Sequence, residues 1–247
     1  MKVVVIGGTG LVGSKVVALL TEHGHEAVAA SPSSGVNAYT GDGLADALTG
    51  ADVVVDVTNS PSFEPAAVLD FFTTSTRHLL DAEKPSGVGH HVALSIVGAE
   101  RLPDSGYLRA KVAQEKLIAE SGVPYSIVKA TQFYEFVTGI ADGAAIDGVV
   151  RLPTQLFQPL PAQDAAAAVE RTATGAPLNA TIEVGGPEAV PMDEFIRAGL
   201  ASLGDPREVV GDPEAEYFGS RLEERSLCPG DGAKLSTTTY AQWKDNT

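Results

Sequence analysis

The chain has 247 residues, 44% of them hydrophobic and 20% charged, and a formal net charge of −15. That composition suits a globular protein with a sizeable core and excludes disorder, and the acidic balance without a basic stripe argues against a nucleic-acid partner. One cysteine, Cys228, and five histidines without ligand spacing exclude a disulfide framework and a cysteine-based zinc site and leave no metal expected.

Val3-Val4-Val5-Ile6 is a β-branched run without helical period, and Gly7-Gly8-Thr9-Gly10-Leu11-Val12-Gly13 follows it into an amphipathic helix over about 11–23. The reading is strand, tight glycine turn, helix. Free N–H groups and the helix dipole at such a start favour an anion, usually a dinucleotide pyrophosphate. The spacing is Gly-x-x-Gly-x-x-Gly, and alone it is also compatible with a bare structural corner. Glu26 to Ala30 is a second strand, ending at Ser31-Pro32-Ser33-Ser34-Gly35. Val36 to Thr40 reads as a third strand, then Leu44 to Leu48 as a short helix. Ala51 to Val57 is a buried strand of the parallel-sheet kind, closed by Thr58-Asn59-Ser60-Pro61.

A helix is expected over 65–82, a strand over 91–95, a helix capped at Asp104-Ser105 and ending at Glu120, and a strand over 125–129. This alternation predicts an α/β fold with a doubly wound parallel sheet, whose strand ends share one ligand-binding edge. Residues 162–174 form an alanine-rich helix, 180–184 a returning strand and 192–203 a further helix; 204–247 shows no clear period. The expected organisation is a single domain, 1–247. Its dinucleotide-binding core takes 1–135 and about 160–185; about 136–160 and 186–247 form a small C-terminal substrate-side elaboration. No apolar run approaches about 18 residues and no basic leader precedes the first strand. A cytoplasmic protein without a membrane partner is therefore expected, and oligomeric state is not legible.

The candidate chemistry converges on the strand ends. Thr58-Asn59 closes one strand and Ser95 another, and Tyr107 and Lys111 stand four apart on the next helix, on one face. An ammonium beside a phenol lowers the phenol's pKa from about 10 toward working pH, which makes Tyr107 a proton donor for a carbonyl/alcohol couple with Ser95 on the same oxygen. Lys111 also has the reach for ribose hydroxyls.

Residues 3–13, Ser95-Ile96-Val97-Gly98-Ala99, Tyr107-x-x-x-Lys111 and Ser121 to Lys129 together resemble the NmrA-like, atypical branch of the short-chain dehydrogenase/reductases. The resemblance covers about 1–135 well and the remainder more weakly. It implies a Rossmann-type fold with strand order 3-2-1-4-5-6-7, an NAD(P) cofactor, and a substrate pocket between the strand ends and the elaboration. It implies catalytic roles for Ser95, Tyr107 and Lys111, an adenine contact for Asp42, and places Asn59 near a stretch that many members carry as Asn-Ala-Gly. Lys129 stands where many members have Arg.

The end of the second strand carries Ser31, Ser33 and Ser34 and no acid to bind a ribose diol, so NADP is expected over NAD. Phe133, Tyr134 and Phe157 are candidate substrate-wall residues, with Tyr217-Phe218 as further ones. The function expected is reduction of a small, mainly apolar carbonyl or quinone by hydride transfer. The alternatives are a cofactor-sensing regulator without turnover, and a cofactor-retaining epimerase or dehydratase.

Overall fold

The computed structural model describes residues 1–246. Its centre is a seven-stranded, all-parallel sheet in the order β2-β1-β3-β4-β5-β9-β14. The strands are β1 (Lys2–Ile6), β2 (Glu26–Ala30), β3 (Val53–Asp56), β4 (His90–Ile96), β5 (Tyr125–Ala130), β9 (Ala180–Gly185) and β14 (Lys234–Leu235). Val3, Val4 and Val5 pair with Val53, Val54 and Val55, all nearly inaccessible. Strands apolar on both faces require cover on both, and helices provide it. On one side α1 (Leu11–Glu22) and α6 (Ala162–Ala173) bury Val12, Val16, Leu20, Ala165 and Val169 against Val3, Val55, Val92 and Val128. On the other side lie α2 (Leu44–Ala47), α3 (Pro65–Ser86) and α4 (Gly106–Glu120), which cover Val4, Val54, Ala93 and Ile127.

Two helix starts set the geometry of the working edge. Pro65 opens α3 at a position that needs no N–H, and Ser105 caps α4, its hydroxyl accepting from Leu108 N. A Cβ on Gly106 would stand 2.7 Å from the Pro65 ring, so the two helices approach each other as glycine alone permits.

The expected strand over 36–40 does not form. Gly35 and Gly41 flank it with φ of 82° and 83°. Asn37 Oδ1 accepts from Tyr39 N and Thr40 N, and Asn37 N donates to Asp42 O. These local side-chain bonds replace a strand ladder. The sheet therefore ends at β2, the strand order 3-2-1-4-5-6-7 is not realised, and the seventh strand comes from the tail as β14.

The remaining segments form α5 (Val137–Gly143), β6 (Ala145–Ile146), β7 (Val149–Leu152), β8 (Leu156–Phe157), β10 (Val190–Pro191), α7 (Met192–Ser202), β11 (Glu208–Gly211), the hairpin β12 (Glu216–Tyr217) and β13 (Ser220–Arg221), and α8 (Tyr240–Asp245). Their own cluster joins Phe157, Met192, Ile196, Leu200, Tyr217 and Leu227 to Leu102 and Leu108 beside α4. Among the described residues no helix is long and apolar enough to cross a membrane, and no group of His, Cys, Asp and Glu is arranged to hold a metal ion.

Candidate active site

The glycine turn is a cradle made by missing atoms. Gly7 has φ +80°, and a Cβ there would press within 3.0 Å of Val57 O and 3.1 Å of Thr58 N. A Cβ on Gly13 would overlap the Gly7 carbonyl oxygen, and one on Gly8 would stand 2.7 Å from Ala29 Cα. Gly10 differs: its backbone is extended, its N–H donates to Gly7 O at 2.9 Å, and a Cβ would meet only that oxygen, at 3.3 Å. It caps α1 without a side-chain cap, and the first turn carries no acid. The N–H groups that a helix start leaves unpaired thus belong to a turn open to solvent at Thr9, Gly10 and Leu11. Thr9 and Leu11 are exposed at its rim, and Val12 and Gly13 are buried beneath. The site fits a dinucleotide pyrophosphate.

The end of β2 lies beside the turn, since Gly7 N donates to Ala30 O at 2.9 Å. Ser31 and Ser34 form a capping box there, and the Ser31 and Ser33 hydroxyls lie 2.8 Å apart. No carboxylate belongs to this turn. Asp42 is exposed and accepts from the Thr40 hydroxyl at 2.6 Å. The neighbouring Gly43 packs on the Gly35 carbonyl, which brings Asp42 close to the serine turn.

At the end of β3, Asp56 is buried and its Oδ1 accepts from the backbone N–H and the hydroxyl of Thr58, at 3.0 and 2.7 Å. Asn59 follows, and the Tyr107 hydroxyl donates to its Oδ1 at 3.0 Å. Tyr107 is therefore on the same edge as the glycine turn. Lys111 is wholly buried: its Nζ donates to Leu94 O at 2.9 Å and to Gln114 Oε1, and lies 4.4 Å from the Phe72 ring centre. Gln114 Nε2 donates in turn to Asp56 Oδ2 at 2.9 Å. Burial lowers the Lys111 pKa to about 8 against the opposing pull of Asp56 and Glu115.

Three expectations need correction. The Tyr107 pKa is not lowered by Lys111; burial alone pushes it up to about 12, because the ammonium is spent on Leu94 O and Gln114. Ser95 shares no hydrogen bond with Tyr107. It faces α4, where its hydroxyl donates to Glu115 Oε1, and Glu115 pairs with Lys129 at 3.0 Å while Lys129 also reaches Glu100 at 2.7 Å. Tyr134 and Phe157 are not an accessible wall. Tyr134 is buried among Phe195, Tyr240 and Trp243 with its hydroxyl on Thr238 O, and Phe157 is fully buried against Phe195. Phe133 is half-buried against Phe136, and Glu135 caps α6 through Ala162 N.

The rings that do meet Tyr107 are Phe63 at 5.4 Å, Phe218 at 5.8 Å and Phe72 at 6.1 Å. Phe63, Asp56, Gln114 and Glu115 escape the motif reading. Signals for three of them exist: an acid inside the apolar run 51–57, and residues three and four places beyond Lys111 on its helix face.

A family profile described as NAD(P)H-binding matches residues 7–139, from the glycine turn into α5. The chain belongs to this family. It is the NmrA-like, atypical short-chain dehydrogenase/reductase type that its motifs resemble. Within the NAD(P)H-binding family, it is 28% identical to the photosystem II assembly factor Ycf39 of Cyanophora paradoxa over 153 residues, 56% of this chain and 48% of that one. The chain thus spans about half the length of that relative. It is also 28% identical over 223 residues to the (4-alkanoyl-5-oxo-2,5-dihydrofuran-3-yl)methyl phosphate reductase of Streptomyces griseus, 83% of this chain and 74% of that one. Among solved structures, MoeE5 in complex with UDP-glucose and NAD has a TM-score of 0.74 at 19% identity, covering 99% and 96% of the two chains. The NADPH-dependent quinone oxidoreductase QOR2 of Escherichia coli has 0.68 at 18%, covering 99% and 98%. These structural likenesses establish the Rossmann-type fold.

Proposed function

We propose that this NAD(P)H-binding protein is an oxidoreductase that reduces a small, mainly apolar carbonyl or quinone, with Tyr107 as proton donor and NADP preferred over NAD. The observation that carries the reading is the Tyr107 hydroxyl on Asn59, at the edge where the glycine cradle opens. The reductase relative from Streptomyces griseus and the quinone oxidoreductase fold neighbour support it.

In this reading Gly7 to Gly13 hold the pyrophosphate on backbone N–H groups. Ser31, Ser33 and Ser34 receive the adenosine ribose and its 2′-phosphate, Asp42 lies toward the adenine, and Thr58 and Asn59 flank the nicotinamide half. When bound, the cofactor supplies a hydride. Tyr107, its pKa raised by burial, carries its proton throughout the neutral range and delivers it from Oη to the substrate oxygen, because the alkoxide that hydride addition to a carbonyl creates is a stronger base than the phenolate left behind. Lys111 ties α4 to β4 through the Leu94 carbonyl and so holds Tyr107 at the edge.

Turnover of NADPH against a panel of aldehydes, ketones and quinones tests this. Product should match NADPH consumed, and Tyr107→Phe should lower kcat by about 10²–10⁴-fold with NADPH affinity unchanged. A second reading, a cofactor-sensing regulator, draws on the way Tyr107, Ser95 and Lys111 are each held by a protein partner. It predicts stoichiometric NADPH binding with no consumption on the whole panel.

A further inference from the structure

The turn of the β12–β13 hairpin carries a residue that its local chemistry does not explain. Tyr217 pairs with Ser220, leaving Phe218-Gly219 as a two-residue loop with φ of 49° and 78°. Both central residues of such a turn need positive φ, which favours Asn-Gly or Gly-Gly and strains an aromatic side chain. Burial does not explain Phe218 either, since it is 46% exposed. What the conformation does is lay the ring on Tyr107, centres 5.8 Å apart and planes 29° from parallel.

Phe63, on the loop between β3 and α3, approaches from the opposite element. It is 55% exposed, with its centre 5.4 Å from Tyr107 and 5.8 Å from Phe218. Tyr217 supports the tip from beneath, edge-on to Phe218 at 4.8 Å. Two solvent-facing rings therefore converge on one half-buried phenol. Next to this apolar mouth the surroundings turn polar, because the Tyr107 hydroxyl sits on Asn59.

We infer that Phe63 and Phe218 form an aromatic clamp whose ligand is a flat, conjugated ring carbonyl compound, its ring stacked on the clamp and its polar edge turned toward Tyr107. Offset-stacked and edge-to-face contacts form at centroid separations of 4.5–7 Å, the spacing already present among these rings, so a planar guest substitutes for one ring contact with another. A saturated ring of equal size presents axial hydrogens to both clamp faces and gains no stacking. The carbonyl in this assignment rests on the oxidoreductase reading; the flat ring rests on the clamp alone.

Equilibrium binding to the full chain with saturating NADP⁺, where no turnover occurs, separates the two. The probes are 2-naphthaldehyde and its saturated counterpart, decahydronaphthalene-2-carbaldehyde. The flat aldehyde should bind at least tenfold more tightly. Phe218→Leu and Phe63→Leu, which keep bulk but lose the ring face, should each remove most of that preference, and Phe218→Trp should retain it. Equal affinity for the two probes on the wild-type protein overturns the clamp, as does an intact preference in both leucine variants. A preference that persists while no member of the aldehyde, ketone and quinone panel consumes NADPH upholds the clamp and removes the oxidoreductase reading instead. Should Phe218→Leu fold poorly, Phe63→Leu and the wild-type comparison still decide.

Discussion

The glycine turn and the Tyr107 edge meet the same ligand space but are built in opposite ways. At the turn the geometry comes from backbone and from atoms that are missing: Gly7 needs its positive φ, and Gly13 has no room for a Cβ. At the edge the geometry comes from side chains whose partners lie far along the chain, Asn59 for Tyr107, Leu94 for Lys111 and Glu115 for Ser95. The first kind of site is specified within a dozen residues. The second exists only once the helices and strands have assembled, and small changes in who bonds whom alter its chemistry.

The largest expected effect tests the backbone half. Gly13→Val drives its side chain into the Gly7 carbonyl and should abolish NADPH binding, with destabilisation on the order of 2–4 kcal/mol seen as a lower melting temperature. Gly10→Ala is the matched control. Its Cβ meets only Gly7 O at 3.3 Å, so the protein should fold normally, and its NADPH affinity should fall by about tenfold because the methyl group intrudes on the anion's approach. Equal stability losses in the two variants would erase the distinction between a packed glycine and a ligand-facing one.

The contrast also explains what was legible beforehand. The turn, the buried valine strands, the Pro65 start and the Ser105 cap are local signals, and the structure places all of them as read. The strand at 36–40 failed because Asn37 captures the following N–H groups, a local competitor that Val36 and Ala38 do not outweigh. The motif Tyr107-x-x-x-Lys111 located the edge correctly, yet its expected electrostatics did not follow. Spacing fixes the helix face, whereas the direction of the Lys111 ammonium depends on the Leu94 carbonyl of β4 and on Gln114, which Asp56 of β3 holds in place. The aromatic candidates divide for the same reason: Tyr134, Phe157 and Phe218 look alike in sequence, and packing buries the first two while leaving Phe218 exposed.

A smaller effect probes that side-chain half through pH. Lys111 has a folded pKa of about 8 against 10.5 for the free side chain. Between those values the unfolded chain holds a proton that the folded chain has released, so stability rises with pH across this window. Above about pH 10 the buried tyrosines act oppositely: with Tyr107 raised to about 12, the folded chain holds the extra proton and stability falls. Urea unfolding from pH 7.5 to 10 should therefore show an upward slope in the wild type that flattens in Lys111→Met. An unchanged slope in the variant would mean that Lys111 is not the group released.

The smallest effect bears on cofactor choice, where the two kinds of site meet at the serine turn. Ser31 ends β2 beside the glycine cradle, is nearly inaccessible, and caps the Pro32–Ser34 turn. Aspartate is an equally good cap in that geometry, so Ser31→Asp preserves the backbone while adding the one feature this edge lacks, a carboxylate at the end of the second strand. A 2′-phosphate brought over the exposed residues 32–35 toward that carboxylate meets like-charge repulsion of roughly 1–2 kcal/mol, screened by the solvent that reaches the turn, while a free ribose diol gains an acceptor. The ratio of NADPH to NADH dissociation constants should shift toward NADH by about tenfold, with kcat in the preferred cofactor little changed. If the ratio stays fixed, the adenosine ribose does not rest on the serine turn, and the preference must then be set by groups on the far side of the cradle.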